Sequence, residues 1–402
     1  MKPIVYSGPV FGHHPTPEHH PEHAGRWTRL YEVLERHPGI ILKDPVETGL
    51  EAVREVHDAT YLSDLAALCN AGGGSMDADT WVGPRSLEVA MAASGSALDA
   101  LDHVLEGTPA FIAGRPPGHH AGRARAMGFC LINHVAVAAR AAIDRGARRI
   151  AIVDWDVHHG NGTQDLVSAW PEVSFLSLHQ DGHWPGTGPT GDVDGGRLRN
   201  LGIPSRTGHE AYLEVVRRLV LPWLTRQTPE IVLVSAGYDA HHEDPLGRLS
   251  LEARTYHQFA AMLASWCRDR TGTVPLLAVL EGGYAPEALA RSVLATLDGL
   301  GGTEPDRLPD MEEPRFMLSQ DSFLALTRSW RTAFPEPWLS AAGSGNGGQG
   351  PDDGADLAPA PPSPPPRAMP SDWPPARDDQ AQAAGHDAAP PQPTPGDHYG
   401  GG

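Results

Sequence analysis

The sequence predicts an α/β fold built on a mostly parallel sheet with helices on both faces. Short apolar runs of strand length alternate with longer stretches of helical period. Such alternation produces βαβ units, whose crossovers are right-handed and whose strands are covered on both sides. Each strand candidate also runs into a loop rich in Gly, Pro, His, Asp or Tyr. Open α/β sheets bind their ligands there, outside the carboxyl ends of the strands.

The strand candidates, in order, are 110–113, 149–153, 173–178, 231–235 and 276–280. Helix candidates lie near 87–105, 133–145, 209–226, 251–268 and 286–300. The helical period is clearest in 209–226, through Tyr212, Val215, Val216, Leu219, Val220 and Trp223, and Pro222 is expected to kink its end. No internal repeat of fixed period interrupts this order.

Composition bounds the rest. Of the 402 residues, those from 340 to 402 are dominated by Gly, Ala, Pro, Asp and Gln and bury no apolar area, so a disordered tail is expected there. Residues 1–335 are long enough to bury a large core, as one large domain or two. The net charge of −19 is spread along the chain, which argues against a nucleic-acid backbone as a direct partner and is compatible with a basic substrate. Cys69, Cys130 and Cys267 are isolated and odd in number, so no disulfide framework is implied. The first residues lack a signal-peptide core, and no apolar run is long enough to span a bilayer. A cytoplasmic protein is expected, with self-association left open.

The loops carry the chemistry. After 149–153 comes Asp154-Trp155-Asp156-Val157-His158-His159-Gly160-Asn161. Alternation sets Asp154, Asp156 and His158 on one side, with Trp155 and Val157 on the other. Two carboxylates and an imidazole converging at a strand end suit a divalent metal, zinc above all. A surface turn that happens to be rich in Asp and His is the bland alternative. A catalytic zinc takes about three protein ligands. Asp156 and His158 supply two, and Asp239, at the end of 231–235, is the natural third. Asp154 then supports one member of the adjacent pair His119 and His120, which suit acid and base roles around a metal-activated water. Tyr284, after Gly282 and Gly283, is placed to meet a developing oxyanion. Together these predict a metal-dependent hydrolase of an amide or similar bond.

The ordered motifs are Arg115-Pro116-Pro117-Gly118-His119-His120, Gly128-Phe129-Cys130-Leu131-Ile132-Asn133-His134, the Asp154 run through Gln164, Ser235-Ala236-Gly237-Tyr238-Asp239-Ala240-His241 with Asp244-Pro245-Leu246-Gly247, and Glu281-Gly282-Gly283-Tyr284. Over residues 4–335 the chain resembles the zinc-dependent histone deacetylase family, nearest its class II members and the bacterial deacetylase-like amidohydrolases. The flanks agree, with His20-Pro21-Glu22 and Arg26, Val56-His57-Asp58, and Asp77-Ala78-Asp79-Thr80. The resemblance implies a single arginase/deacetylase-type domain with an eight-stranded, mostly parallel sheet. It implies Asp156, His158 and Asp239 as zinc ligands, His119 and His120 as the proton-handling pair with Asp154 behind His119, and Tyr284 on the acetyl carbonyl. Phe129, after Gly128, and Trp184 should wall a channel for the acetyl-lysine stem. A structural potassium is implied at Asp154, Asp156, His158, Ser177 and Leu178.

Two departures refine the expectation. Class I members back the second His with Asp; Asn161 stands here, as in class II, and should leave His120 more easily neutral. Polyamine-preferring members place an acidic residue just after Asp-Pro, where this chain has Leu246. That favours acetyl-lysine, in proteins or small acetylated amines, over acetylpolyamines. An acetylpolyamine amidohydrolase and a non-catalytic acyl-lysine binder are the rival readings, and a binuclear manganese hydrolase would need further carboxylates. The His13-His14 and His19-His20 segment is expected to form a rim loop rather than a second metal site. Gly186-Thr187-Gly188-Pro189-Thr190-Gly191 matches a dinucleotide fingerprint but lacks the strand–turn–helix context. His241 and His242 are assigned no chemistry.

Overall fold

The computed structural model describes residues 1–303, 317–328 and 330–334. Its strands are β1 (Ile4–Tyr6), β2 (Ile41–Lys43), β3 (Gly74–Ser75), β4 (Trp81–Val82), β5 (Ala110–Ile112), β6 (Ile150–Asp154), β7 (Val173–Gln180), β8 (Gly191–Val193), β9 (Leu198–Ile203), β10 (Ile231–Ala236) and β11 (Leu276–Leu280). Nine of them form one sheet in the order β2-β1-β5-β11-β10-β6-β7-β9-β8, and β3 and β4 form a separate antiparallel pair. Eight strands of the large sheet run parallel. The ninth, β8, folds back antiparallel to β9 across the turn at Asp194–Gly196, which gives the outer edge of β9 a partner.

Every residue of β6, β7, β10 and β11 is buried, as befits strands covered on both faces. Successive side chains point to opposite faces, so alternate residues enter different cores. Ala151, Val153, Val232 and Val234 join a cluster containing Tyr212, Trp223, Phe259, Leu263 and Leu297. Ile150, Ile152, Ile231 and Leu233 join another, with Val89, Ala97, Leu101, Val135 and Ala139. The first face is covered by the helices Ala253–Thr271 and Pro286–Gly301 and the helical run 209–227, the second by Ser86–Leu105 and His134–Asp144.

All five strand and five helix candidates are present with small shifts at their ends. The 209–227 run is not uniform: α-helical Leu221–Gln227 is preceded by a π-type turn over Val216–Val220. Pro222 has no N–H to return to the preceding turn and its ring crowds that turn, so the widened turn lies before the proline rather than at the helix end. Phe323, Trp330 and Phe334 close over the first core. Every described residue falls in one compact unit, Met1–Gly348. The expected tail, 340–402, lies outside the described residues. No described helix is long and apolar enough to cross a membrane.

Candidate active site

Parallel strands bring their carboxyl ends to one edge, and the motif loops gather there. Asp154, the last residue of β6, stands opposite Ser235 of β10 and Ser177 of β7. Beyond it the chain bends, held by two main-chain bonds: the Trp155 N–H donates to the Ser235 carbonyl at 3.1 Å, and the Gln180 N–H donates to the Val157 carbonyl at 2.8 Å. Trp155 and Val157 enter the core, while the Asp156 carboxylate meets the His158 imidazole.

Asp156, His158 and Asp239 are buried, and one donor atom from each lies within 4.8 Å of the others. His158 Nδ1 is 3.1 Å from Asp156 Oδ1 and 3.1 Å from Asp239 Oδ2. Burial works against a charged imidazole, but its bonds to the two carboxylates override it and push His158 up to about 10. Burial likewise opposes the Asp156 charge, yet His119 and His158 hold that carboxyl below the usual range. Burial and the neighbouring Asp156 push Asp239 up to about 7. The three groups thus demand a positive charge between them. Two carboxylates and an imidazole are a donor set that zinc accepts, so these residues fit the ion the motifs imply. Gly282 allows the close approach: a Cβ there would lie 2.1 Å from Asp239 Oδ2 and 2.7 Å from Asp156 Oδ2.

The two adjacent imidazoles lie beside this set, with ring centroids 3.9 Å apart. His119 Nδ1 meets Asp154 Oδ2 at 3.0 Å, and its Nε2 is 3.7 Å from Asp156 Oδ1. His120 Nδ1 meets Asn161 Oδ1 at 2.7 Å. The unequal backing has an electrostatic consequence. Burial disfavours the cation at both, but the carboxylates of Asp156, Asp154 and Glu281 raise His119 well above its ordinary value. His120 has only an amide behind it; burial and the charges of His119 and His158 lower it well below.

Tyr284 is buried under Phe129, whose ring stands edge-on to it at 5.6 Å. The Tyr284 N–H donates to Asp244 Oδ2 at 2.6 Å, and the Arg26 guanidinium lies 5.0 Å from the ring centre. On the opposite side Trp184 stands edge-on to His120 at 4.8 Å and to His158 at 5.7 Å. Gly128 and Phe129 both have positive φ, 55° and 68°, and a Cβ on Gly128 would lie 2.6 Å from both His120 and Trp184. An aromatic residue held in the left-handed region is strained, and such strain concentrates at functional sites. Leu246 is half-buried, and its carbonyl accepts from His183 Nε2 at 3.0 Å. Ser177 and Leu178 are buried on β7, beside the end of β6; the Ser177 hydroxyl meets His179 Nδ1 at 2.9 Å.

Sequence reasoning missed four contributors. Glu281 accepts main-chain N–H groups from Gly118 and His119. Asp244 holds the Tyr284 main chain, and His183 stacks on His158 at 5.0 Å. Glu22 forms a buried ionic cluster with Arg26 and Arg115. Glu22 lies just before the helix that carries Arg26 and left no periodic signal, whereas Glu281 directly follows a buried strand and could have been found that way.

Two other histidine groups lie apart from this set. In the His-rich start, His14 turns inward to the Ser86 hydroxyl at 2.7 Å, while His20 stands edge-on to Phe129 at 4.7 Å. His241, His242 and Glu243 also bring donor atoms within 4.8 Å. Their two rings stack 25° from parallel, and Arg291 Nη2 engages both Glu243 oxygens at 2.9 and 3.0 Å. The Gly186–Gly191 stretch leads into strand β8 rather than a helix.

The model of the histone deacetylase domain matches residues 20–300. An uncharacterized protein of Synechocystis is 43% identical over 310 residues, covering 75% of this chain and 99% of the relative. A histone deacetylase-like amidohydrolase of Pseudomonas aeruginosa is 39% identical over 290 residues, covering 70% of this chain and 76% of the relative. Among solved structures, the crystal structure of the HDA15 HD domain superposes with a TM-score of 0.73 at 28% identity, covering 84% of this chain and 97% of that one.

Proposed function

Because the chain belongs to the histone deacetylase family, and so is a hydrolase acting on amides, we propose that it is a zinc-dependent deacetylase that cleaves the amide of acetyl-lysine. The observation that carries this reading is the buried Asp156–His158–Asp239 set with the His119–His120 pair beside it and Tyr284 close by. Asp156, His158 and Asp239 would hold the zinc, which supplies Lewis acidity toward the scissile carbonyl and toward water. Potassium would sit at Asp154, Asp156, His158, Ser177 and Leu178.

The chain's own groups then divide the proton work. His120, backed by the Asn161 amide and left neutral, takes the proton of the attacking water. His119, raised by Asp156 and by the Asp154 carboxylate on its Nδ1, holds a proton for the departing lysine amine. Tyr284, whose hydroxyl burial keeps protonated, donates a hydrogen bond to the developing oxyanion. Phe129 and Trp184 hold the aliphatic stem between aromatic walls and exclude water. Leu246 offers no carboxylate to a charged polyamine, which supports acetylated lysine in proteins, or small acetylated amines, as substrates. Three buried, unpaired cysteines suit a reducing compartment such as the cytoplasm.

Acetate release by the zinc-loaded protein from an acetyl-lysine peptide and from acetylspermidine tests the reading. Hydroxamate-sensitive hydrolysis of the peptide, lost in Asp156→Ala, is expected. A strong preference for acetylspermidine would establish the amidohydrolase of polyamines instead, and peptide binding without hydrolysis would establish a binder.

A further inference from the structure

Glu281 is a buried carboxylate that the proton transfers above do not use. It follows directly on β11, which lies between β5 and β10 in the sheet, and its side chain bridges both neighbours. Oε2 accepts the Gly118 N–H at 2.6 Å and the His119 N–H at 3.0 Å; Oε1 accepts from the Ser235 hydroxyl at 3.1 Å. Its main chain is pinned as well, with the N–H on the Ala236 carbonyl at 3.0 Å and the carbonyl on Arg26 Nη2 at 2.6 Å.

The two amides it holds have no strand or helix partner. They follow Pro116 and Pro117, which carry no N–H, so Gly118 and His119 are the first main-chain donors after the prolines. On its other side the His119 carbonyl accepts from the Thr163 N–H at 3.0 Å. The His119 peptide is thus held at its N–H by Glu281, at its carbonyl by Thr163 and at its imidazole by Asp154. Burying an ionisable group where an apolar one would fit is costly unless it satisfies donors that would otherwise be stranded. Burial pushes this carboxyl up to about 7, which shows how dry the position is.

We propose that Glu281 is a positioning residue whose carboxylate clamps the main chain of Gly118 and His119 and so fixes where the His119 imidazole stands relative to Asp156. The effect on rate rests on the deacetylase reading; the clamp itself does not. Glutamine can keep the clamp, because one amide oxygen can accept both N–H groups while the NH2 turns to the Ser235 hydroxyl. Alanine removes it, and aspartate, one methylene shorter, keeps the charge but falls short of the loop.

The test compares Glu281→Gln, Glu281→Ala and Glu281→Asp in the zinc-loaded protein. It reads kcat and KM on an acetyl-lysine peptide, zinc per chain, and amide hydrogen exchange over residues 116–121. In Glu281→Ala, kcat should fall about 100-fold, the scale of a 1 Å misplacement, with KM and zinc content kept and exchange protection lost. Glu281→Gln should keep KM, zinc content and protection, with kcat far above that of the alanine variant although the charge that helps to raise His119 is gone. Glu281→Asp should follow the alanine variant, and it carries the comparison if alanine prevents folding. The proposal is overturned if protection persists without the carboxylate, if protection is lost while kcat is kept, or if glutamine keeps protection but loses kcat as fully as alanine. Failure of the wild type to hydrolyse the peptide would refute the deacetylase reading, and the exchange data would still decide the clamp.

Discussion

Replacing Glu22 by glutamine should destabilise the protein in a way that depends on pH. Glu22 and Arg115 are fully buried and Arg26 is 1% exposed. Arg115 donates to both Glu22 oxygens, from Nε to Oε1 at 2.8 Å and from Nη2 to Oε2 at 2.6 Å, and Arg26 Nη1 adds a third bond at 3.1 Å. Glutamine keeps the shape but leaves two buried guanidinium groups without their counter-charge, which costs about 3–5 kcal/mol. An independent route gives a similar figure. Burial works to raise the Glu22 carboxyl, but Arg115 above all holds it down to about 2 from an ordinary 4.5. That difference is worth on the order of 3 kcal/mol. Because the folded value lies below the unfolded one, the contribution is complete above about pH 4.5 and is lost as the pH falls toward 2. Urea unfolding of wild type and Glu22→Gln across this range should show a large gap at pH 7 that closes below pH 4.5. An unchanged midpoint at pH 7, or a gap that ignores pH, would refute the reasoning. Arg26 also donates to the Gly283 and Glu281 carbonyls beside Tyr284, so kcat should fall in the same variant.

Three further outcomes are expected. Tyr284→Phe should lower kcat by about 100- to 1000-fold, the scale of losing one oxyanion donor, while metal analysis finds zinc unchanged. Asp239→Asn should lower the zinc retained per chain after dialysis, because it removes one of the two carboxylates that face His158 Nδ1; full zinc retention would remove Asp239 from the ligand set. Leu246→Glu should raise the rate on acetylspermidine relative to acetyl-lysine peptide by up to about fivefold, since a partly exposed charge pair is worth up to about 1 kcal/mol; an unchanged ratio in a competition assay would show that the position does not read charge.

Much of this arrangement was legible in the sequence because the governing signals are local. Buried parallel strands write themselves as apolar runs, and the residue after each run is carried to the ligand-binding edge by topology alone. Asp154, Asp156 and Asp239 could therefore be placed together without knowledge of any helix. The short strands β1, β2 and β8 left no comparable signal, since three residues carry too little periodicity to separate from a loop, and β9 breaks its apolar run with Arg199, Asn200 and Gly202. Tyr284 was visible as a candidate, but the groups that hold it were not. Asp244, Arg26 and Phe129 reach it from three distant segments, and only the folded chain determines which of many acids and arginines meet a given loop. The π-type turn before Pro222 was misplaced because a proline announces a break without saying on which side the backbone will yield.

Histidine pairs read from sequence look symmetrical, and the fold makes this one unequal through the groups behind it. His119 faces a carboxylate on the strand end, whereas His120 faces an amide on the following helix, Asn161–Val167. Two cationic imidazoles whose rings lie 3.9 Å apart would repel in a dry site, so backing one with charge and the other with a neutral acceptor lets the pair carry a single proton. The clamp on His119 acts through its main chain: Glu281 holds the peptide and leaves both Nδ1 partners unchanged, while its charge adds to those that raise the His119 imidazole.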